Sequence, residues 1–208
     1  LRLHSPEKTI IRPTVPAELV TSTKELTQPF LLFNRHILTP STLPVRLRQI
    51  AILRVGWVRK SRYMWSSHLR TSLRRGLVGE DFAPIKDGAD SPYWNDLERL
   101  VLRATDQLIA TSDLDDELWD ALSAHFDRKQ LLDFLFTVGC YMLMAMVLNA
   151  TRIDREPDLQ ELAALYGGDA WKHVYVCGLQ ALWSLHEFER DPIPFPQSLE
   201  PIAFDGGV

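Results

Sequence analysis

One histidine in a run of hydroxyl, basic and aromatic side chains is the residue best suited to chemistry. The run is SRYMWSSHLR, residues 61–70. In a helix, four of its side chains share one face at the spacing i, i+3, i+4 and i+7: Ser61, Met64, Trp65 and His68. A face that mixes polar and large apolar groups suits a pocket wall better than a plain core stripe. Two interpretations of His68 stay open, a general acid or base and a satisfied core histidine.

The other histidines and the cysteines lack the spacing of a metal or redox site. Cys140 and Cys177 lie far apart in the chain, so they form no close pair. We expect Cys140 to pack as a small apolar group, and a reducing compartment such as the cytoplasm fits this cysteine usage. We expect neither a metal ion nor a cofactor. The remaining candidate histidines are expected to be ordinary packing or surface residues: His125, His173 and His186.

The charges are unevenly distributed along the chain. The net charge of −4 argues against general attraction to nucleic acid or to an anionic membrane. Between Leu26 and Gly79 there is no Asp or Glu, whereas the same stretch holds ten Arg and Lys residues. Two interpretations stay open. The basic stretch pairs with the acidic remainder, within the chain or across an oligomer interface, or its field favours an anionic ligand such as a carboxylate.

The elements that position these residues are predicted to be helices. A chain of 208 residues with 46% hydrophobic content can bury a substantial core, and a single domain is the default. No stretch alternates with period two for long enough to indicate a sheet, so the fold class is all-α. The helix that carries His68 is predicted to end at Gly76, and Asp127 to cap a long apolar helix that runs to about Thr151.

Proline, serine and glycine set the other predicted boundaries. A first helix over residues 15–28 should end at Pro29, and the next should begin at a Ser41 or Thr42 cap with Pro44 in its first position. A turn is expected at 79–85, followed by a helix that Ser91 caps and that has Pro92 in its first position. Another helix should begin at an Asp or Ser cap after residue 111. Further helices are expected over 157–166 and 169–190, before an extended proline-rich end.

Residues 131–148 are nearly all apolar and approach the length of a bilayer crossing. Asp133 and the central Thr137 and Gly139 weaken that interpretation. A helix that is apolar on every side also fits the middle of a helical bundle, and we predict this role and no membrane association. The first residues of the chain carry charge and proline without an apolar run, so we expect no secretory signal.

Four linked features resemble the carboxymuconolactone decarboxylase family, which is related to the alkylhydroperoxidase-like proteins. They are the Arg-rich helix LPVRLRQIAILRVGWV, an aromatic-Trp-x-x-His helix, a Gly-Leu turn and a Val-Gly-x-Tyr helix, together spanning residues 40–152. The resemblance implies an alkylhydroperoxidase-like antiparallel helical bundle that forms a homo-oligomer, a dimer, trimer or hexamer. We predict one domain over residues 1–208, of which residues 40–152 form this core. Residues 153–208 are predicted to form a helical extension and a proline-rich tail, and this extension is expected to cover the pocket mouth or a subunit interface.

Departures from the family pattern limit its activity. Redox relatives have two cysteines where this chain has Ser61 and Met64, so the peroxidatic dithiol is missing. Many non-redox relatives have glutamates where this chain has Gln49 and Met64. Gln49 keeps hydrogen-bonding ability but cannot abstract a proton, and Met64 can only pack.

The sequence and the resemblance together predict a cofactor-free lyase or isomerase. Its substrate would be a small organic acid or lactone, which is decarboxylated, isomerised or opened with His68 as catalytic acid or base. Two alternatives stay open, a thiol-dependent alkylhydroperoxidase and a non-catalytic binding or assembly protein on the same fold. The candidate substrate-binding residues are Gln49, Ser61, Tyr63, Met64, Trp65 and Tyr141.

Overall fold

The computed structural model describes residues 24–152 and 165–166, and within these residues the chain is all helical with no strand. The seven α-helices are α1 (Lys24–Leu38), α2 (Val45–Val58), α3 (Arg62–Arg74), α4 (Phe82–Asp87), α5 (Asp96–Thr111), α6 (Asp116–Ser123) and α7 (Arg128–Thr151). Two 3₁₀ turns, Gly79–Asp81 and Gly88–Asp90, flank α4. The helices expected over 157–190 and the proline-rich end lie outside the described residues, apart from Leu165 and Tyr166, which are helical.

Helix α2 is the centre of the bundle. It packs against α3, α4, α5 and α7, and every residue from Leu47 to Leu53 is buried. Two of these buried residues, Arg48 and Gln49, are polar. Because an unpaired polar group in the interior is unfavourable, the contacts that these two side chains make with the surrounding helices matter for the packing of α2.

Helix α2 divides the core into two apolar clusters. Ile52 and Val55 belong to the first cluster, together with side chains of α1, α5 and α7. Ile50 and Leu53 belong to the second cluster, which contains the side chains of α4 and the fully buried Trp65 of α3. Helix α3 contributes Met64 to the first cluster and Trp65 to the second, and this packing fixes its rotation about its own axis.

Helix α7 begins after the predicted Asp127 cap and ends at Thr151, which confirms the prediction of a long apolar helix there. The side chain of Asp127 accepts a hydrogen bond from the backbone N–H of Gln130, and the side-chain oxygen of Gln130 accepts one from the backbone N–H of Asp127, as in a capping box. Among the described residues, α7 is the helix long and apolar enough to cross a membrane, with a mean hydropathy of 2.1. Half of its most apolar 18-residue segment is nevertheless buried within the bundle, which fits a core helix.

Two N-terminal boundaries differ from the sequence expectation. Pro29 does not end the first helix, because α1 continues through it to Leu38. Proline removes one hydrogen bond there, near the start of the helix, and the buried Ile37 and Leu38 hold the following turns against the core. Helix α2 has Pro44 as its N-cap and no side-chain cap. Thr42, expected as a possible cap, instead donates both its N–H and its hydroxyl to a carboxylate of α7.

Further along the chain, two expectations are wrong and two are confirmed. Residues 79–85 form a 3₁₀ turn and the start of α4 rather than a simple turn. Ser91 does not cap α5, because the reciprocal capping box between Asn95 and Glu98 satisfies the backbone there and starts the helix at Asp96. Asp115 caps α6 as expected of an Asp or Ser, and Gly76, with φ of 93°, follows the end of α3.

Acidic residues later in the chain neutralise part of the basic stretch. Arg46 donates to both carboxylate oxygens of the fully buried Asp81, at 3.0 and 2.7 Å, and also to Glu98. Arg54 forms a second two-pronged pair with Asp106, at 2.7 and 3.0 Å. Within the described residues, these two pairs neutralise Arg46 and Arg54 of the basic stretch.

The Asp81 carboxylate is expected to be the most sensitive polar group of the fold. Burial alone would raise its pKa, but hydrogen bonds from Arg46, the Val78 N–H and Tyr93 lower the pKa of Asp81 below its usual value. Asp81→Asn should lower the free energy of unfolding by about 2–3 kcal/mol in urea denaturation at pH 7, because it leaves those donors without their anion. As the pH falls below about 4 and through the lowered pKa of Asp81, the difference between the two proteins should shrink, since the carboxylate stabilises the fold only where it is ionised.

The matched control is Asp120→Asn on the exposed surface of α6, which should change the free energy of unfolding by less than about 0.5 kcal/mol. Equal effects of the two substitutions would contradict the role of the Asp81 network.

Candidate functional site

A cavity of about 330 Å³ lies between α1, α3 and α7. Its wall combines apolar side chains, such as Phe30 and Met144, with polar ones, such as Asn34 and Ser67. The volume suits a small molecule, and the mixture suits a ligand with both an apolar body and a polar group.

Arginine side chains give this cavity a positive field. Arg70, Arg74 and Arg75 line it, and no Asp or Glu is among the lining residues in the part of the chain that the structure describes. Arg75 donates to the backbone carbonyl of Leu38 at 3.1 Å, which ties the end of α3 to α1. The buried Arg48 lies near Arg75, and burial and that neighbouring charge lower the pKa of Arg48. Such a field favours an anionic ligand.

His68 lies in the cavity wall. Its ring packs edge-on against the ring of Tyr141, with centroids 4.9 Å apart and an interplanar angle of 88°. Burial and the charge of Arg75 lower the pKa of His68 to about 3. The imidazole is therefore neutral near pH 7, and it can accept a proton but has none to donate as an imidazolium.

An amide from α2 holds the inner side of this ring. The Oε1 atom of the fully buried Gln49 lies 3.3 Å from Nδ1 of His68. The same oxygen accepts a hydrogen bond of 2.9 Å from the hydroxyl of Ser72, one helical turn beyond His68. One oxygen of α2 thus connects two side chains of α3.

Tyr141 beside this ring and its chain neighbour Cys140 are both uncharged. Burial raises the pKa of the Tyr141 hydroxyl well above its ordinary value, so it remains a hydrogen-bond donor. Burial also raises the pKa of the Cys140 thiol, to which Asn34 donates at 3.5 Å. A thiol in this state is a poor nucleophile. Cys177 lies outside the described residues.

The structure brings most of the predicted site residues together. Tyr63, Met64 and Tyr141 line the cavity with His68, and Gln49 contacts the histidine from behind. Their roles in binding stay predictions.

Two predicted site residues lie elsewhere. Trp65 is absent from the cavity lining and packs against Trp57 in the second core cluster, with ring centroids 5.1 Å apart. Ser61 is the fully buried N-cap of α3 and is also absent from the lining. The cavity face of α3 is centred near Ser67 and Thr71, so His68 lies toward its edge and Trp65 lies beyond that edge, in the second cluster.

Sequence reasoning did not select several residues that the structure places at the site. Ser72 stands four residues after His68, a spacing that would have placed it next to the histidine on a helix. Arg74 and Arg75 were recognised as members of the basic stretch but not as cavity residues. The contribution of α1, through Phe30 and Asn34, has no signal in the local sequence.

Solved structures of low sequence identity share this arrangement of helices. One is a protein of unknown function from Agrobacterium tumefaciens, provisionally named antioxidant defence protein AhpD. It is 18% identical with a TM-score of 0.60, over 64% of this chain and 92% of that one. Another is a single-residue variant of the debrominase Bmp8 in complex with 2,3,4-tribromopyrrole. It is 14% identical with a TM-score of 0.64, over 72% of this chain and 80% of that one.

The chain has an AhpD-like helical fold. The expected all-α class and alkylhydroperoxidase-like bundle are thereby confirmed. No protein-family model and no curated protein sequence matches the chain. The finer resemblance to carboxymuconolactone decarboxylases therefore stays a prediction, because likeness at these identities shows the fold alone.

Removing the charge of Arg75 should make His68 easier to protonate. Burial and Arg75 are the two causes of its low pKa, so Arg75→Met should raise the pKa of His68 above about 3. The measurement is an NMR titration of the His68 ring signals. Arg103→Met, at an exposed position on α5, is the matched control and should leave the titration unchanged. An unaltered pKa in Arg75→Met would contradict this electrostatic account.

Proposed function

We propose that this protein is a cofactor-independent lyase or isomerase that acts on a small organic acid or lactone, with His68 as its base. The observation that carries the proposal is a neutral imidazole in the wall of an arginine-lined cavity. A neutral imidazole accepts a proton directly, and arginine binds carboxylates with good geometry. The AhpD-like fold is compatible with this proposal but does not identify the reaction.

The proposed reaction begins with proton removal from a carbon next to a carbonyl group. The C–H bond breaks, its proton goes to His68 and its electron pair forms an enolate. Hydrogen bonds from Tyr63 or Tyr141 would stabilise the enolate oxygen, since both hydroxyl-bearing side chains line the cavity. Returning the proton to another carbon gives isomerisation, and expelling a ring oxygen opens a lactone. In a decarboxylation, loss of carbon dioxide would generate the same enolate directly.

The arginines would link substrate binding to the strength of the base. A carboxylate bound beside Arg75 would offset the positive charge that helps to lower the pKa of His68. The imidazole would then be more basic in the complex than in the free protein. Once protonated, it would still be in a largely desolvated place and would return its proton readily.

The peroxidase alternative has less support. Ser61 and Met64 provide no thiolate, and the thiol of Cys140 is buried with a raised pKa. A non-catalytic binding protein remains the main competitor, because the same cavity could hold a ligand without changing it.

A deuterium-exchange screen tests the proposed chemistry. The protein is incubated in D₂O with a panel of small keto acids, unsaturated acids and lactones, and ¹H NMR follows deuterium uptake, isomerisation, ring opening and loss of carbon dioxide. We expect turnover of at least one class, and His68→Gln should reduce it by about 10²- to 10⁴-fold because the base is removed. Between pH 8 and 5, kcat/KM should not fall with the ordinary titration of a histidine, since the free imidazole stays neutral.

Two controls separate the alternatives. His125→Gln changes an exposed histidine, and the double variant Cys140→Ser with Cys177→Ser removes every thiol; both should keep turnover within a few-fold. Binding of a panel compound without turnover would favour the non-catalytic alternative. Activity that needs the cysteines and survives His68→Gln would return the protein to the peroxidase class.

We also propose that the protein is a homo-oligomer with a two-fold contact through α7. Apolar residues on the outer side of this helix alternate at steps of four and three, as in a coiled-coil seam: Leu132, Phe136, Gly139, Leu143 and Met146. A Cβ atom added at Gly139 would meet nothing within 4 Å, so this position is an open notch. If the α7 helices of two protomers pack antiparallel with the two-fold axis beside residue 141, Leu143 of one protomer lies over Gly139 of its partner, and Phe136 lies over Met146. The seam is thus complementary to itself.

The assembly prediction is tested by light scattering at micromolar concentration. Leu143→Glu should shift the protein toward monomer, because it places a charge against the partner helix. Trp119→Glu, on α6 away from the seam, removes an exposed aromatic side chain of similar accessibility and should leave the assembly intact. A stable monomer of the unaltered protein would contradict the proposal.

A further inference from the structure

The amide of Gln49 is a conspicuous polar group in the interior because its side chain is fully buried. Its oxygen receives the hydroxyl hydrogen bond of Ser72 at 2.9 Å and lies 3.3 Å from Nδ1 of His68. Both partners come from one face of α3, and Ser72 is itself fully buried. The contact therefore lies in a packed region where the groups have little freedom to reorient.

The chemistry of the amide oxygen determines the protonation of the ring. A carbonyl oxygen accepts hydrogen bonds and cannot donate them, so the nitrogen that faces it must carry the hydrogen. A neutral imidazole has a single N–H, and the Nδ1–H form leaves the lone pair on Nε2. Because Nδ1 faces the buried helix α2 and the ring lines the cavity, Nε2 lies on the side of the ring away from Gln49.

We propose that Gln49, held by Ser72, is a positioning residue that keeps His68 in its Nδ1–H tautomer and leaves Nε2 as the basic atom at the cavity. This inference rests on the proposed role of His68 as a base. It adds the atom that takes the proton and the two residues that select that atom.

A neutral amide does this without strengthening the base. A carboxylate at the same position would also accept the Nδ1 hydrogen, but its negative charge would stabilise the imidazolium and raise the pKa of His68. Gln49 thus orients the ring without adding a charge, and burial and the charge of Arg75 remain the causes that lower the pKa of His68. Among the described residues, the charged and titratable groups near this pair include Arg75, Tyr141 and, on α2, Arg48. Tyr63, Arg70 and Arg74 line the same cavity.

The orientation of the amide itself is the step that an experiment must test. The Gln49 Nε2 atom has no hydrogen-bond partner in the described part of the chain. A half-turn of the amide would point this donor at Nδ1 and would force the hydrogen onto Nε2 of His68. It would also leave the Gln49 oxygen and the Ser72 hydroxyl hydrogen without their present partners. The two orientations demand opposite tautomers, so the tautomer reports which one exists.

The test is a long-range ¹H–¹⁵N correlation spectrum of the full-length, ¹⁵N-labelled protein near pH 7, with the His68 signals assigned from His68→Gln. We expect a pyrrole-type signal for Nδ1 and a pyridine-type signal for Nε2. Ser72→Ala should produce a mixture of tautomers, since it frees the amide to turn. Gln49→Glu should keep the Nδ1–H form, because a carboxylate can only accept the Nδ1 hydrogen, and its negative charge should raise the pKa of His68.

Ser66→Ala is the matched control. Its hydroxyl donates to a carbonyl of its own helix, so the variant should leave the His68 tautomer unchanged. An Nε2–H tautomer in the unaltered protein, or in Gln49→Glu, would overturn the proposal. So would a tautomer that survives Ser72→Ala without change. The spectrum needs no substrate, so absence of turnover together with the Nδ1–H tautomer would defeat the proposed reaction and leave this inference standing.

Discussion

The burial of α2 is the constraint on which the rest of the structure depends. With every residue from Leu47 to Leu53 enclosed, the helix supplies both apolar clusters and orients α3 between them. The same burial encloses the Gln49 side chain, whose oxygen contacts Ser72 and His68. Core packing and the placement of the candidate base therefore have one origin, because the helix that fills the core also holds the imidazole.

The basic stretch of the sequence is divided between two uses. Arg46 and Arg54 form two-pronged pairs with carboxylates and connect distant helices. The arginines at the end of α3 line the cavity instead, and the charge of Arg75 helps to lower the pKa of His68. One field would then attract an anionic ligand and keep the base uncharged until that ligand arrives. The pairing interpretation is confirmed for Arg46 and Arg54, and the anionic-ligand interpretation stays a proposal for the cavity arginines.

Local rules predicted the long elements better than the site. The cap at Asp127 and the apolar run after it were sufficient for α7, because each signal lies within one helix. Pro29 misled the prediction because packing of the later turns of α1 outweighs one lost hydrogen bond. The site depends on contacts between helices: Trp65 shares the helix of His68 but faces the second cluster, while Ser72 becomes relevant through an oxygen of α2. No spacing within the sequence encodes such contacts.

The central claim is that the arginine field and the neutral imidazole of His68 form one anion-responsive site. The most direct measurement is a titration with benzoate and with its neutral isostere benzamide, followed through the ring signals of His68 by NMR. The account predicts that benzoate binds in the cavity and raises the pKa of His68 from about 3, whereas benzamide binds more weakly and does not raise it. Equal binding of the two compounds, or benzoate binding that leaves the His68 ring unperturbed, would contradict it.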